Sequence, residues 1–107
     1  MPKTGVVGFA RQDASSNGVL GESPDGRGVH GKSTTGWAGY FDGRVYTRKY
    51  VELAEIGNPS SPGSNRARLF IRDNGSGKTQ LCVRFHTGGV RVLATHHNRQ
   101  PPLSRRT

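Results

Sequence analysis

GVLGESPDGRGVHGKSTTGWAGYFDGRVY, residues 18–46, is the stretch on which the fold turns. Set in register it repeats: GVLGES (18–23), GVHGKS (28–33) and the variant WAGYFDG (37–43), with an earlier copy, GVVGFA, at 5–10. The starts of the first three copies lie 13 and then 10 residues apart, the first spacing being stretched by RQDASSN. Glycine precedes each of Val6, Val19 and Val29 and returns two positions later at Gly8, Gly21 and Gly31. Such spacing implies backbone passing close to backbone or turning a corner. The linkers SPDGR and STTGW carry turn residues. The units therefore read as short strands separated by corners. None is long enough to fold alone, which is the signature of stacked repeats.

Composition sharpens the point. Of 107 residues, 31% are hydrophobic and 16 are glycine, so a monomer would struggle to bury enough apolar surface to offset chain entropy. The apolar residues are patterned rather than merely scarce, which favours burial against other copies over disorder. A one-chain β-helix with rungs of 8 to 13 residues would be a thin cylinder with little interior. Three chains around one axis remove that difficulty and pair the open edges. The expected fold class is all-β: an intertwined homotrimeric β-helix or β-prism stalk followed by a small antiparallel sheet. Val6, Val19, Val29, Ala38, Phe41 and Val45 are the expected axial core.

The segment GVLGESPDGRGVHGKSTTGWAGYFDGRVY resembles the G-V-x-G-x-S-x-x-G-x repeats ending in A-G-Y-F-x-G-x-V that precede terminal domains in bacteriophage tail-fibre and related trimeric β-helical fibre proteins. The likeness covers about residues 5–46. It implies an intertwined homotrimer in a fibre, spike or appendage and does not imply an enzyme; neither catalysis nor a cofactor is expected of this chain. ARLFIRDNGSGKTQLCVRF and its continuation to Val92 resemble, more weakly, the short β modules that follow such repeats. The chain is short for a tail fibre and shows neither an obvious particle-anchoring domain nor the self-cleaving chaperone domain that often follows these repeats. A complete small spike or decoration protein and a piece of a longer one are both open.

DNGSGKTQ, residues 73–80, invites a nucleotide-binding reading, but the first glycine of that motif would fall on Arg72. Leu81, Val83 and Phe85 then alternate with polar partners, which is a strand period where the motif needs a helix. Ala67, Leu69 and Ile71 alternate in the same way. The segment is thus a hairpin, with Asp73-Asn74-Gly75-Ser76-Gly77 as its turn and Asn and Gly supplying positive φ. The expected division is a repeat stalk at 1–57, a Pro/Gly/Ser loop at 58–65, a three-stranded meander at 66–95 (strands 66–72, 79–86 and 89–95) and a flexible basic tail at 96–107. Within the stalk portion, Tyr50 to Ile56 is left between another strand and one helical turn.

The net charge is +9 and is unevenly spread. Residues 1–65 carry seven Lys/Arg against six Asp/Glu, 66–95 six against one, and the tail three against none. Arg66, Arg68, Arg72, Arg84 and Arg91 interleave with apolar residues and are the candidate partner surface, open to a receptor, an anionic glycan or a neighbouring protein. An alternative makes them a phosphate-tracking stripe for nucleic acid with Phe70 as a stacking platform. Trp37, Tyr40 and Tyr46, with Phe41, are candidates for stacking on sugars or bases, set against plugging the wider end of the stalk. A second alternative is a polysaccharide-processing enzyme built on interchain carboxylate pairs, but nothing in the spacing of the acids selects two. No catalytic residue is assigned.

The single Cys82 excludes an internal disulfide framework and a cysteine zinc site. A metal would need one histidine per chain at the trimer axis, and alternation sends His30 outward from Val29, so none is assigned. No apolar run approaches a membrane span, and MPKTGVVGF lacks the hydrophobic region of a signal peptide. The expectation is cytoplasmic synthesis followed by work on a virion or extracellular particle surface, beside other virion or appendage proteins and without membrane insertion.

Overall fold

The computed structural model describes residues 4–97, and among these the protein is all-β with no helix. No helix of the described residues is long and apolar enough to cross a membrane. The chain divides into two compact units, Met1–Tyr46 and Thr47–Thr107. The expected tail lies outside the described residues from position 98 onward.

The second unit is built on an antiparallel sheet of β1 (Ala67–Asp73), β2 (Thr79–Phe85) and β3 (Val90–Thr95), in that order. These bounds fall within one residue of the strands expected from alternation. The β1–β2 turn closes with the Asn74 N–H donating to the Lys78 carbonyl at 2.8 Å, while the Asn74 carboxamide accepts from the Ser76 N–H at 2.7 Å. Positive φ sits at Gly75 (94°) and Gly77 (84°); Asn74, expected to share that role, serves as the hydrogen-bonding residue instead. The side chain of Asn can replace a backbone acceptor, which leaves the left-handed geometry to residues without a Cβ. Glu55 adds a short parallel bridge to Ile71 on the outer edge of β1, with the Ile56 N–H donating to the Ile71 carbonyl at 2.9 Å. Of the two readings of 50–56, the strand-like one describes this contact.

Register assigns the two faces. Arg68 lies opposite Arg84, Phe70 opposite Cys82 and Arg72 opposite Gln80. Because side chains alternate along a strand, these six share one face, joined on β3 by Val90 and Val92. Burial concentrates there: Phe70 is 4% exposed and Cys82 fully buried. Leu69, Ile71, Leu81, Val83 and Phe85 occupy the opposite face, where Leu69 remains 60% and Phe85 48% exposed.

The first unit has a different organisation. Residues 4–46 form no strand ladder within the chain, so the short strands expected of the repeats are not formed by the single chain. Its order comes from corners. The Ser23 hydroxyl accepts from the Gly26 N–H at 3.0 Å, and ten residues later the Ser33 hydroxyl accepts from the Gly36 N–H at 2.9 Å. A serine oxygen bonding three residues ahead imitates a backbone acceptor and fixes a turn locally. The longer first corner uses Asp13, whose carboxylate accepts from the Ser15 N–H at 2.8 Å and hydroxyl at 2.7 Å.

Across the later corners the backbone returns against itself. A Cβ on Gly21 would lie 2.6 Å from the Gly28 carbonyl oxygen, and one on Gly31 would lie 2.5 Å from that of Ala38. Only glycine fits such an approach. The repeat is thus a hydrogen-bonded corner flanked by a close backbone contact, and it recurs without burying a single apolar side chain.

Candidate functional surfaces

The expected axial residues are all exposed in the single chain: Val6 at 87%, Val19 at 71%, Val29 at 75%, Phe41 at 75% and Val45 at 64%, with Ala38 exposed as well. The aromatic candidates behave alike, Trp37, Tyr40 and Tyr46 being 69%, 78% and 85% exposed. Among residues 4–46 only Ser16 is even half-buried. Apolar side chains of this size gain free energy from burial, about 1.5–3 kcal/mol for each Val, Leu or Phe taken fully out of water. The chain by itself realises little of that in this unit. Nor do the described repeats exchange backbone hydrogen bonds with one another, although backbone groups are obligatory hydrogen bonders.

In the second unit the five arginines do not form one stripe. Arg68, Arg72 and Arg84 share the Phe70 face, whereas Arg91 lies opposite Val83 and so belongs to the other face; Arg66 precedes β1. The three on the Phe70 face are engaged. Arg68 donates to the Ser60 carbonyl and hydroxyl at 2.9 and 3.1 Å, and Arg72 to the Asn58 side chain at 2.8 Å and Gln80 at 3.0 Å. Arg84 donates to the Pro59 carbonyl at 3.1 Å and the Ser61 hydroxyl at 3.3 Å. His86 Nδ1 lies 2.9 Å from the Pro62 carbonyl, which places a proton on that nitrogen.

These bonds hold segment 58–62, NPSSP, as a strap across the face. Proline pushes the preceding residue to an extended conformation and removes a donor, so the strap cannot join a ladder and its carbonyls are free to accept. Guanidinium groups are suited to the task, and the strap oxygens relieve the cross-strand opposition of Arg68 and Arg84. Pro62 is buried and Pro59 half-buried beside this contact. The structure thus corrects the reading of Phe70 as a stacking platform: a ring with 4% exposure is core, not surface.

The arginines read first as a partner surface therefore include three internal clamps. Sequence reasoning missed the strap, treating NPSSPGSN as a boundary; two prolines facing a strand of alternating arginines were the available signal.

The described residues of this unit also line shallow depressions. One, of about 480 Å³, is lined by Gly57, Asn58, Arg72 and Asp73; another, of about 500 Å³, by Asn65, Arg66, Phe85 and His86. Both are open to solvent. Three of the acids have local uses: Asp13 at the first corner, Asp73 accepting from the Gly75 N–H at 2.7 Å, and Glu55 accepting from the Thr79 hydroxyl. No group of three His, Cys, Asp or Glu among the described residues could hold a metal ion within one chain. Comparison with protein-family models, curated proteins and solved structures finds no match to this chain.

Proposed function

We propose that this chain is the protomer of a homotrimeric fibre, spike or decoration protein of a phage or phage-like particle, with a structural and adhesive role and no catalytic step. The repeats of three chains wind around one axis as a β-helical or β-prism stalk. The observation that carries this reading is the pattern at 5–46: apolar side chains at fixed repeat positions, corners set by serine hydrogen bonds, and no burial within the chain. A stalk shared between chains supplies the missing cover for the valines and partners for the repeat backbone. The resemblance of 5–46 to trimeric fibre repeats points to the same architecture and to a particle surface as the place of work, beside other virion or appendage proteins.

The partner-facing surface of the C-terminal unit then rests on fewer arginines than the sequence offered. Among the hydrogen bonds that hold the strap none comes from Arg66 or Arg91, which remain candidates for a receptor, an anionic glycan or a neighbouring protein. The nucleic-acid reading loses its platform, Phe70, and the arginines committed to 58–61.

Native mass, by light scattering or native mass spectrometry, tests the proposal. A trimer is expected for the parent chain. Val19→Asp and Val29→Asp are expected to abolish it: each removes about 1.5 kcal/mol of burial per chain and places three carboxylates at a dry axis, at several kcal/mol each. His30→Asp, on the outward side of the same repeat, is expected to leave the trimer intact. A monomeric parent chain, or a Val29→Asp variant that stays trimeric, would overturn the proposal.

A further inference from the structure

The stalk does not account for the second apolar surface of the molecule. On the sheet face opposite the strap, Ala67, Leu69 and Ile71 of β1 lie beside Leu81, Val83 and Phe85 of β2, with Ala94 opposite Leu81 on β3. Among these, Leu69 and Phe85 are 60% and 48% exposed, and Ile71, Leu81 and Val83 are only half-buried. A sheet with one covered and one wet face ordinarily turns polar side chains to water. Here the arrangement is reversed: the arginines are folded under a strap of the same chain, and the aliphatic side chains are left outside.

We infer that this face is closed by the same face of other copies, so that the chain associates at its sheet as well as along its repeats. The inference rests on the trimeric reading of the stalk. Size is the argument for this occupant. Three strands of six to seven residues, about 4.8 Å apart and rising about 3.3 Å per residue, present a face on the order of 300 Å². That is as large as the apolar patches typical monomers leave exposed, yet well under the ~800 Å² per partner of a stable independent interface. A face of this size would hold a free partner weakly. It is adequate when the partner is already tethered, because a stalk joining the chains turns the second contact into an intramolecular one at high effective concentration. A second copy is the partner so tethered. Charge fits as well: Arg91 is the single arginine on this face and sits at its β3 margin, while Arg68, Arg72 and Arg84 are held away by the strap.

Thiol labelling of the full-length chain tests this. Leu69→Cys and, as a second reporter, Phe85→Cys place a thiol on the face, Ser76→Cys places one on the exposed hairpin tip, and the fully buried Cys82 provides the unreactive background. In the native trimer, Cys at 69 and at 85 is expected to react with a maleimide at least about tenfold more slowly than Cys at 76, burial being what limits thiol access. Combining either with Val29→Asp, which separates the chains, should restore the fast rate. Rapid labelling in a verified trimer would overturn this inference and leave the stalk reading standing. Slow labelling that persists in the separated chains would also overturn it, since the cover would then be a segment of the same chain. A parent chain of monomeric native mass would remove both proposals.

Discussion

Replacing Gly21 by alanine is the substitution whose outcome the geometry fixes most tightly. The new Cβ would lie 2.6 Å from the Gly28 carbonyl oxygen and 2.5 Å from a methyl of Val29, against the 3.4 Å at which ordinary van der Waals contact begins. The methyl can rotate away. The carbonyl is backbone, so the corner must open by about 0.8 Å, and with it the register of one repeat on the next. Overpacking of this kind costs about 1–3 kcal/mol per site. In a trimer the same clash occurs in every chain, so the loss is on the order of 3–9 kcal/mol per assembly. Opposing it is the smaller entropy of an unfolded chain carrying alanine in place of glycine, about 0.4–1 kcal/mol per chain. Gly57 supplies the control, because a Cβ there meets nothing within 4 Å and its φ lies outside the left-handed region. Gly57→Ala should therefore leave stability unchanged or raise it slightly, while Gly21→Ala should lower it. Urea unfolding monitored with native mass, at matched protein concentration, reads both effects. If Gly21→Ala matched Gly57→Ala or exceeded it in stability, the close approach of successive repeats would not exist in the assembled protein.

Other expectations follow from single interactions. Ser33→Ala removes the acceptor for the Gly36 N–H and should cost about 0.5–1.5 kcal/mol per chain in urea unfolding, with Ser23→Ala giving a similar loss at the equivalent corner. Arg84→Met keeps the apolar stem but frees the Pro59 carbonyl and Ser61, so NMR order parameters at Ser60 and Ser61 should fall before any change appears in the hydrogen exchange of β2. Hydrogen bonds from Ser15 hold the Asp13 carboxyl below its ordinary value of 3.8. A group whose folded pKa is lowered stabilises the fold above its unfolded value and ceases to do so as pH falls through the folded one, so the Asp13 corner should loosen only in that acid range. Asp13→Asn should abolish this acid dependence in a pH series of exchange rates across 13–16, and an unchanged profile would show that the corner does not depend on the carboxylate.

How much of this was legible without coordinates follows from the range of the interactions involved. The corners of the repeats are encoded within four residues, by a serine and a glycine three positions apart, so the ten-residue cadence of Ser23 and Ser33 announces them. The strands at 67–73, 79–85 and 90–95 are equally local, because alternation and glycine-rich turns survive in any context. The all-β class follows from these two facts. The faces of the sheet were not legible. Alternation states that Leu69 and Arg68 point to opposite sides, but it does not state which side is covered. That was decided by the strap at 58–62, whose carbonyls capture Arg68 and Arg84 on the face that carries the buried Phe70, and whose role depends on contacts up to 25 residues apart in sequence. Charge pattern alone suggested a basic stripe; long-range packing turned its arginines into clamps and left the aliphatic face outside. Where this chain bends and where its sheet strands run is written in local pattern. Which side chains it buries is settled by long-range packing, because burial depends on where distant segments come to rest.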